Sequence, residues 1–255
     1  MKKDINIYSE KYQVQLFEVT ANNMISLSMA MNLMLSVSEH QLKNLDIGQE
    51  NLINNYNLGW VITQYSININ RLPKIGENII AYTKATGCNK FFCYRDFGIT
   101  DMNNNNLITV NSLFVIMNIK KRKIVPVPNK IIDSFNLEKD KRNIIIHFPK
   151  IKHVDNKMMS QTYHVRYFDI DNNKHVNNTH YFDWMQDTLG LPFLINHTLK
   201  QVNIKYEREV YYNDLITSNA QIDKDYINGT TNIITRHQIL NKDNSAAEAE
   251  FVWSC

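Results

Sequence analysis

The sequence predicts an α+β fold made twice, in which an antiparallel sheet wraps around one long helix and a second copy of that unit follows. Two observations carry this reading. β-like and helical segments come in the same order in both halves, and side-chain types recur between the halves at a constant shift. A third observation supports it: the 255 residues contain only 7 Gly and 5 Pro, which leaves room for long regular elements with few breaks. The composition, 44% hydrophobic and 11% aromatic, is enough for a sizeable core.

The first strand-like segment is Tyr12 to Val19, which alternates in polarity. After Thr20-Ala21-Asn22-Asn23 the period changes. From Met24 to Leu45, the residues Leu27, Ala30, Met31, Met34 and Val37 recur at helical spacing, with Met29, Leu33 and Leu35 apolar beside them. A helix apolar on most of its circumference belongs inside a domain. Four β-like runs follow: Trp60 to Arg71, Glu77 to Thr86, Lys90 to Thr100 and Leu107 to Ile119. The segments LPKIGE, GCN and DMNNNN between them have the chemistry of hairpin turns and short loops.

The second half repeats this order. Gln161 to Asp169 is β-like, and Asn178 to Leu189 reads as a helix. Asn177 or Asn178 caps it, Gly190 follows its end, and Pro192 prevents continuation. Strands are expected at Lys200 to Tyr211, Leu215 to Asp225, Thr230 to Leu240 and Ala246 to Trp253. One constant shift places Ile67, Ile69 and Arg71 on Ile204, Tyr206 and Arg208, Gly76-Glu77 on Asn213-Asp214, and Phe114-Val115 on Phe251-Val252. Together these matches indicate a duplicated unit. The stretch from Lys120 to Met159, with its KKRK cluster and prolines, is the natural connection. The expected division is a first unit at 1–136, a linker at 137–159 and a second unit at 160–255.

Composition excludes several function classes. A formal charge of +3 and a pI near 8.6 are too weak for nucleic-acid binding, yet they suit an acidic partner protein. The cysteines, Cys88, Cys93 and Cys255, form no CxxC pair and have no neighbouring histidines, which argues against a disulfide framework or a zinc site. The N-terminus turns polar at once, and there is no long apolar run. The expectation is a cytoplasmic protein that does not enter membranes.

The densest polar constellation is RYFDIDNNKHVNN, Arg166 to Asn178, between the second unit's first strand and its helix. Asp171, Asn173 and His175 alternate, so an extended loop points all three one way. Histidine can move a proton near neutral pH, a carboxylate can orient it, and an asparagine can donate to a developing oxyanion. The helix start near Asn178 would add free N–H groups. The plain alternative is a polar loop of Asx turns with a solvated histidine.

That motif, followed by an aromatic helix, resembles the signature of acyl-acyl carrier protein thioesterases, the plant fatty-acid-releasing enzymes and their bacterial relatives. GWVITQYSININRLPKIGENI, SLFVIMNIKKRKIVPVP and IKYEREV resemble other segments of that family, so the likeness covers nearly the whole chain. The resemblance implies a tandem (double) hotdog fold, two antiparallel sheets each wrapped around a long central helix. It implies hydrolysis of fatty acyl groups from acyl carrier protein, with no cofactor and no metal. It also implies catalytic roles for Asp171, Asn173 and His175, together with Glu209, expected on the next strand. Plant members carry a cysteine after that glutamate, where this chain has Val210, so attack by water is expected without an acyl-cysteine intermediate. Glu209 read alone would be a strand carboxylate paired with Arg208 or Lys205.

In the family the first unit helps set chain length. Met31 and Met34 could therefore line an acyl tunnel, although buried methionines are also ordinary core. Trp60, Trp184 and Phe182 are expected to be core. Lys120 to Lys123, with Lys139, Lys141 and Arg142, reads as a solvated surface or a rim for an acidic carrier. The expected partner is acyl carrier protein, with no nucleic acid and no membrane; a homodimer is compatible with the sequence and not required by it. The alternatives are an acyl-CoA thioesterase, a dehydratase or a non-catalytic acyl-binding protein.

Overall fold

The computed structural model describes residues 7–155, 159–227 and 230–254. The first half runs β1 (Ile7–Gln13), α1 (Leu27–Asn44), α2 (Gln49–Tyr56), β2 (Leu58–Ile69), β3 (Asn78–Cys88), β4 (Phe92–Asp101), β5 (Asn106–Asn118), β6 (Lys123–Val125) and α3 (Asn129–Ser134). The second runs β7 (Met159–His164), α4 (His180–Asp187), α5 (Leu191–Asn196), β8 (Thr198–Tyr206), β9 (Leu215–Ile227), β10 (Thr230–Asn241) and β11 (Asn244–Ser254). Short 3₁₀ turns at Leu16–Glu18 and Tyr167–Asp169 follow β1 and β7.

The strands form one antiparallel sheet of 11, in the order β1-β3-β4-β5-β2-β8-β11-β10-β9-β7, with β6 paired to β5. Each half contributes its strands in the same relative order, mirrored about the β2–β8 pair. At that pair Ser66 lies opposite Asn203, 137 residues further along the chain, and donates a buried 2.8 Å hydrogen bond to it. Ile67 lies opposite Val202, and Tyr65 opposite Ile204. Ser66 therefore faces its own counterpart under the sequence shift that relates Ile67 to Ile204. The duplication is a pseudo-twofold axis through the sheet.

α1 starts at Leu27 and not at Met24, because Ser26 is its N-cap and accepts 3.1 Å from the Met29 N–H. Met24 and Ile25 are held instead by bridges to Lys74 and Val19. The helix buries Leu27, Ala30, Met31, Met34, Val37 and Leu42. Burial of its leucine, methionine and valine side chains contributes about 1.5–3 kcal/mol each. α4 is likewise shorter than its pattern, and its first amides are occupied. Asn177 Oδ1 accepts from Thr179 N, and Asn177 O from His180 N. Gly190, at φ 79, ends that helical stretch, but Pro192 does not end it: it sits in the first turn of α5, where a missing N–H costs nothing.

Phe182 and Trp184 are buried, while Trp60 is half-buried against Phe114 and Phe135 at 6.1 Å. The core is one cluster spanning both halves. α1 and α4 meet where Asn32 Oδ1 accepts from Asn177 Nδ2 (3.2 Å) and Thr179 Oγ1 (3.1 Å). The connecting segment is tied down. Asn143 and Ile144 donate to Cys88 O, His153 pairs with Glu248, and Asp155 N donates to Gln221. Among the described residues no helix is long and apolar enough to cross a membrane.

Candidate active site

The loop between β7 and α4 is built on an ion pair between the buried Asp169 and the exposed Arg166. Asp169, 1% exposed, accepts from Arg166 through its backbone N (2.8 Å), Nε (3.3 Å) and Nη2 (2.7 Å). Burial pushes the Asp169 carboxyl up, but the Arg166 hydrogen bonds and charge outweigh it and hold the carboxyl below its ordinary value. Beyond this anchor, Ile170 bridges Val176, Asp171 N donates to His175 O (2.9 Å), and Lys174 takes the turn at φ 70. Asp171 Oδ1 accepts from Asn173 N at 2.8 Å, an Asx turn. The plain reading of the loop is thus correct for the backbone of Asp171 and Asn173. It does not account for the side chains gathered around His175.

His175 stands between two carboxylates. Nδ1 lies 3.7 Å from Asp171 Oδ2, and Nε2 lies 3.8 Å from Glu209 Oε1, with all three side chains a quarter exposed or less. Both distances exceed a direct hydrogen bond and leave room for a bridging water. Nδ1 is also 3.3 Å from Val176 O. A carbonyl only accepts, so in the neutral ring this contact selects the Nδ1–H tautomer, in which Nε2 is an acceptor. Nε2 and Glu209 Oε1 are then two acceptors facing the same space, a pair that can take both hydrogens of one water.

Glu209 is not on a strand, as the sequence suggested. It lies in the loop beyond the end of β8, where Val176 N donates to Val210 O (2.8 Å) and sets the two loops side by side. It pairs with neither Arg208 nor Lys205; Lys205 binds Glu207. Its Oε2 accepts from the Tyr211 hydroxyl (2.6 Å) and from Arg122, which reaches over from the β5–β6 turn at φ 52. Arg122 belongs to the KKRK cluster read as surface or rim, so one member of that cluster is part of the site. Its lysine neighbours, Lys120, Lys121 and Lys123, are exposed.

The first half supplies a second contact. Gln49, the first residue of α2, donates from Nε2 to Asn173 Oδ1 (3.0 Å) and accepts the Trp60 N–H at Oε1 (2.8 Å). Sequence reasoning missed Gln49, Arg122 and Tyr211, because each reaches the site only through folding. Met31 and Met34 are not at the polar site; both are fully buried on α1. The expected free amides at the α4 start are not available at Thr179 and His180, which Asn177 occupies.

The thiols lie elsewhere. Cys88 and Cys93 face one another across the β3–β4 hairpin, both buried. Burial pushes both thiols up, Cys93 to about 12, the wrong direction for a nucleophile. Cys255 lies outside the described residues. The residue after Glu209, Val210, is buried.

The first half contains the same loop without the chemistry. Val19 bridges Ile25 as Ile170 bridges Val176, and Thr20 N donates to Met24 O as Asp171 N does to His175 O. Ile25 N donates to Pro73 O as Val176 N does to Val210 O. Thr20, Asn22 and Met24 therefore occupy the places of Asp171, Asn173 and His175, and Leu72 that of Glu209. A threonine, a methionine and a leucine cannot take up protons, so this first-half loop lacks the carboxylates and the histidine of its counterpart.

The comparisons with known proteins agree with this architecture. A family model for the acyl-ACP thioesterase N-terminal domain, where ACP is acyl carrier protein, matches residues 5–135, and one for the C-terminal domain matches 152–255. The chain is 23% identical over 232 residues to a chloroplastic acyl-[acyl-carrier-protein] hydrolase of Cuphea viscosissima, covering 85% of this chain and 55% of that protein. It is 24% identical over 243 residues to a chloroplastic oleoyl-acyl carrier protein thioesterase of Coriandrum sativum, covering 89% and 66%. The chain spans about half the length of the first of these curated relatives. Among solved structures it is similar to one described as an oleoyl thioesterase from Lactobacillus plantarum, with TM-score 0.91, 31% identity and coverage of 98% and 96% of the two chains. A 12:0-ACP thioesterase from Umbellularia californica shares the fold at TM-score 0.82 and 18% identity, covering 97% and 94%. On the two family matches, which between them take in most of its length, the chain belongs to the acyl-ACP thioesterase family.

Proposed function

We propose that the chain hydrolyses the thioester of fatty acyl-acyl carrier protein, releasing the free fatty acid. The observation that carries this is the approach of His175 Nε2 and Glu209 Oε1 as two acceptors over one space, with Asn173 hydrogen-bonded to the Asp171 carboxylate on the other side of the ring. A water held by both loses a proton to that pair as its oxygen attacks the thioester carbon. Asn173 Nδ2 donates to the carbonyl oxygen as negative charge develops. Collapse of the tetrahedral intermediate breaks the carbon–sulfur bond, and the proton held by the pair passes to the departing thiolate. Asp171 orients Asn173 and faces the far side of His175.

The mirrored strand order supports reading the sheet as a tandem hotdog, with units at 1–136 and 160–255 joined by 137–159. In this reading the second unit carries the chemistry and the first accommodates the acyl chain, with Met31 and Met34 on the helix that would flank it. The exposed lysines around Arg122 stand beside the reacting groups and suit an acidic carrier surface.

The test is product analysis with carrier proteins bearing a series of acyl lengths, and the matching coenzyme A thioesters, for the wild type and His175→Ala. Free acid from carrier substrates, with turnover reduced by roughly 10² or more in the variant, is expected. Wild-type turnover retained in folded His175→Ala would refute the mechanism.

A further inference from the structure

We infer that Gln49, a residue of the first unit, sets which way the Asn173 amide faces and so makes the catalytic centre a joint product of both units. This rests on the proposed hydrolysis and adds to it a positioning residue outside the polar loop.

The argument is one of donors and acceptors. An asparagine side chain has two nearly isosteric ends, an oxygen that accepts and a nitrogen that donates, and only the nitrogen can stabilise an oxyanion. The local loop does not fix the choice strongly: Asn173 Nδ2 reaches Asp171 Oδ2 only at 3.4 Å. Gln49 fixes it through the backbone. The Trp60 N–H can only donate, so at 2.8 Å it requires Gln49 Oε1 at that position. Gln49 Nε2 must then face Asn173, and at 3.0 Å it requires Asn173 Oδ1 there. The Asn173 nitrogen is left on the other side, with one hydrogen toward Asp171 and one free for substrate. A main-chain donor of β2 thus dictates, through one side chain, the polarity of a group in the second unit.

The fold maintains this relay. Gln49 is held as the first residue of α2, behind Gly48. Gly59, next to Trp60, leaves open the space Gln49 occupies: a Cβ there would stand 3.1 Å from Gln49 Nε2 and 2.8 Å from Ile119 Cδ1. Trp60 itself is pinned by an indole N–H bond to Ile47 O at 2.9 Å.

The discriminating substitution is Gln49→Glu, nearly isosteric and still able to accept from Trp60 N. Both its remaining positions accept, so Asn173 must turn its nitrogen toward residue 49 and present its oxygen to the substrate. Steady-state hydrolysis of an acyl-acyl carrier protein is measured for wild type, Gln49→Glu, Gln49→Met, Asn173→Ala and the Gln49→Glu/Asn173→Ala double variant, with folding checked by circular dichroism. Expected is a fall in kcat of roughly 10²-fold for Gln49→Glu with KM within about twofold, the scale of losing one well-aimed oxyanion donor. Gln49→Met, which only releases Asn173, should lose less. The double variant should be no slower than Asn173→Ala alone, because a residue that acts only through Asn173 has nothing to position once that side chain is gone. A merely structural role, or repulsion from the added charge, would slow the double variant further and overturn the inference. So would wild-type kcat in Gln49→Glu, or in Gln49→Met should the glutamate variant not fold. An inactive wild type would refute the thioesterase reading and this inference with it, whereas an active wild type with indifferent Gln49 variants would refute the inference alone.

Discussion

Replacing Glu209 by glutamine should do more than remove a charge. Its Oε2 accepts from two donors, the Tyr211 hydroxyl and the Arg122 guanidinium, while Oε1 faces His175 Nε2 at 3.8 Å. In Glu209→Gln the amide oxygen is drawn to the two donors, which turns the amide nitrogen toward His175. A donor then stands where the nucleophilic water needs an acceptor, and it can itself bond to Nε2 and displace that water. Loss of general-base assistance is worth roughly 10²–10⁴ in rate, or about 3–5 kcal/mol of barrier; the reversed polarity puts the expectation in the upper half of that range. Arg122→Met should cost less, about tenfold, because Tyr211 still holds Oε2. Combining Glu209→Gln with His175→Ala should cost far less than the product of the single effects, since both serve one water. The assay is single-turnover hydrolysis of an acyl-acyl carrier protein, with folding checked by circular dichroism. A folded Glu209→Gln enzyme within about threefold of wild type would refute the two-acceptor geometry as the basis of catalysis.

Three further outcomes are expected. Alanine at Cys88, Cys93 and Cys255 together should leave most hydrolysis intact in folded protein, and complete loss would show that a thiol takes part after all. Met31→Phe or Met34→Phe should shift the product profile to shorter acids while keeping the rate on short substrates. These sites are fully buried, so a stability loss of about 1–3 kcal/mol from overpacking is expected as well, and an unchanged profile would assign both residues to core packing alone. His237, buried, is pushed down to about 3 by desolvation, so the folded protein stays neutral there while the unfolded chain takes up a proton below about pH 6.5. Its contribution is therefore present above pH 6.5 and lost as pH falls toward 3, at about 1.4 kcal/mol per pH unit in between. His237→Phe should flatten that slope in urea unfolding between pH 6.5 and 4.5, and an unchanged slope would show that His237 does not carry it.

The sequence by itself determined the repeated order of elements, the constant shift that relates the halves and the loop that carries Asp171, Asn173 and His175. These are legible because they depend on local period, turn chemistry and spacing within a few residues. The shift that aligns Ile67 with Ile204 also relates Ser66 to Asn203, the pair that meets at the centre of the sheet. Helix ends were read less well. Met24 continues the helical pattern, but Ser26 caps α1 and bridges hold the residues before it. Pro192, read as a barrier, opens α5.

Tertiary structure alone decided how the Asp171–His175 loop is completed. Glu209 comes to His175 because Val176 and Val210 are joined by a backbone hydrogen bond, not because of any strand periodicity. Arg122 looked like one more lysine-cluster cation until the β5–β6 turn carried it onto Glu209. Gln49 and Asn173 stand 124 residues apart in sequence, and nothing local to either marks the pair. The degenerate loop at Thr20–Met24 was equally hidden, because its relation to Asp171–His175 lies in matching backbone hydrogen bonds and its side chains have all changed type except Asn22. A sequence records which groups are available in each segment. Which of them come together, and with which polarity, depends on contacts between distant segments that exist only once the chain has folded.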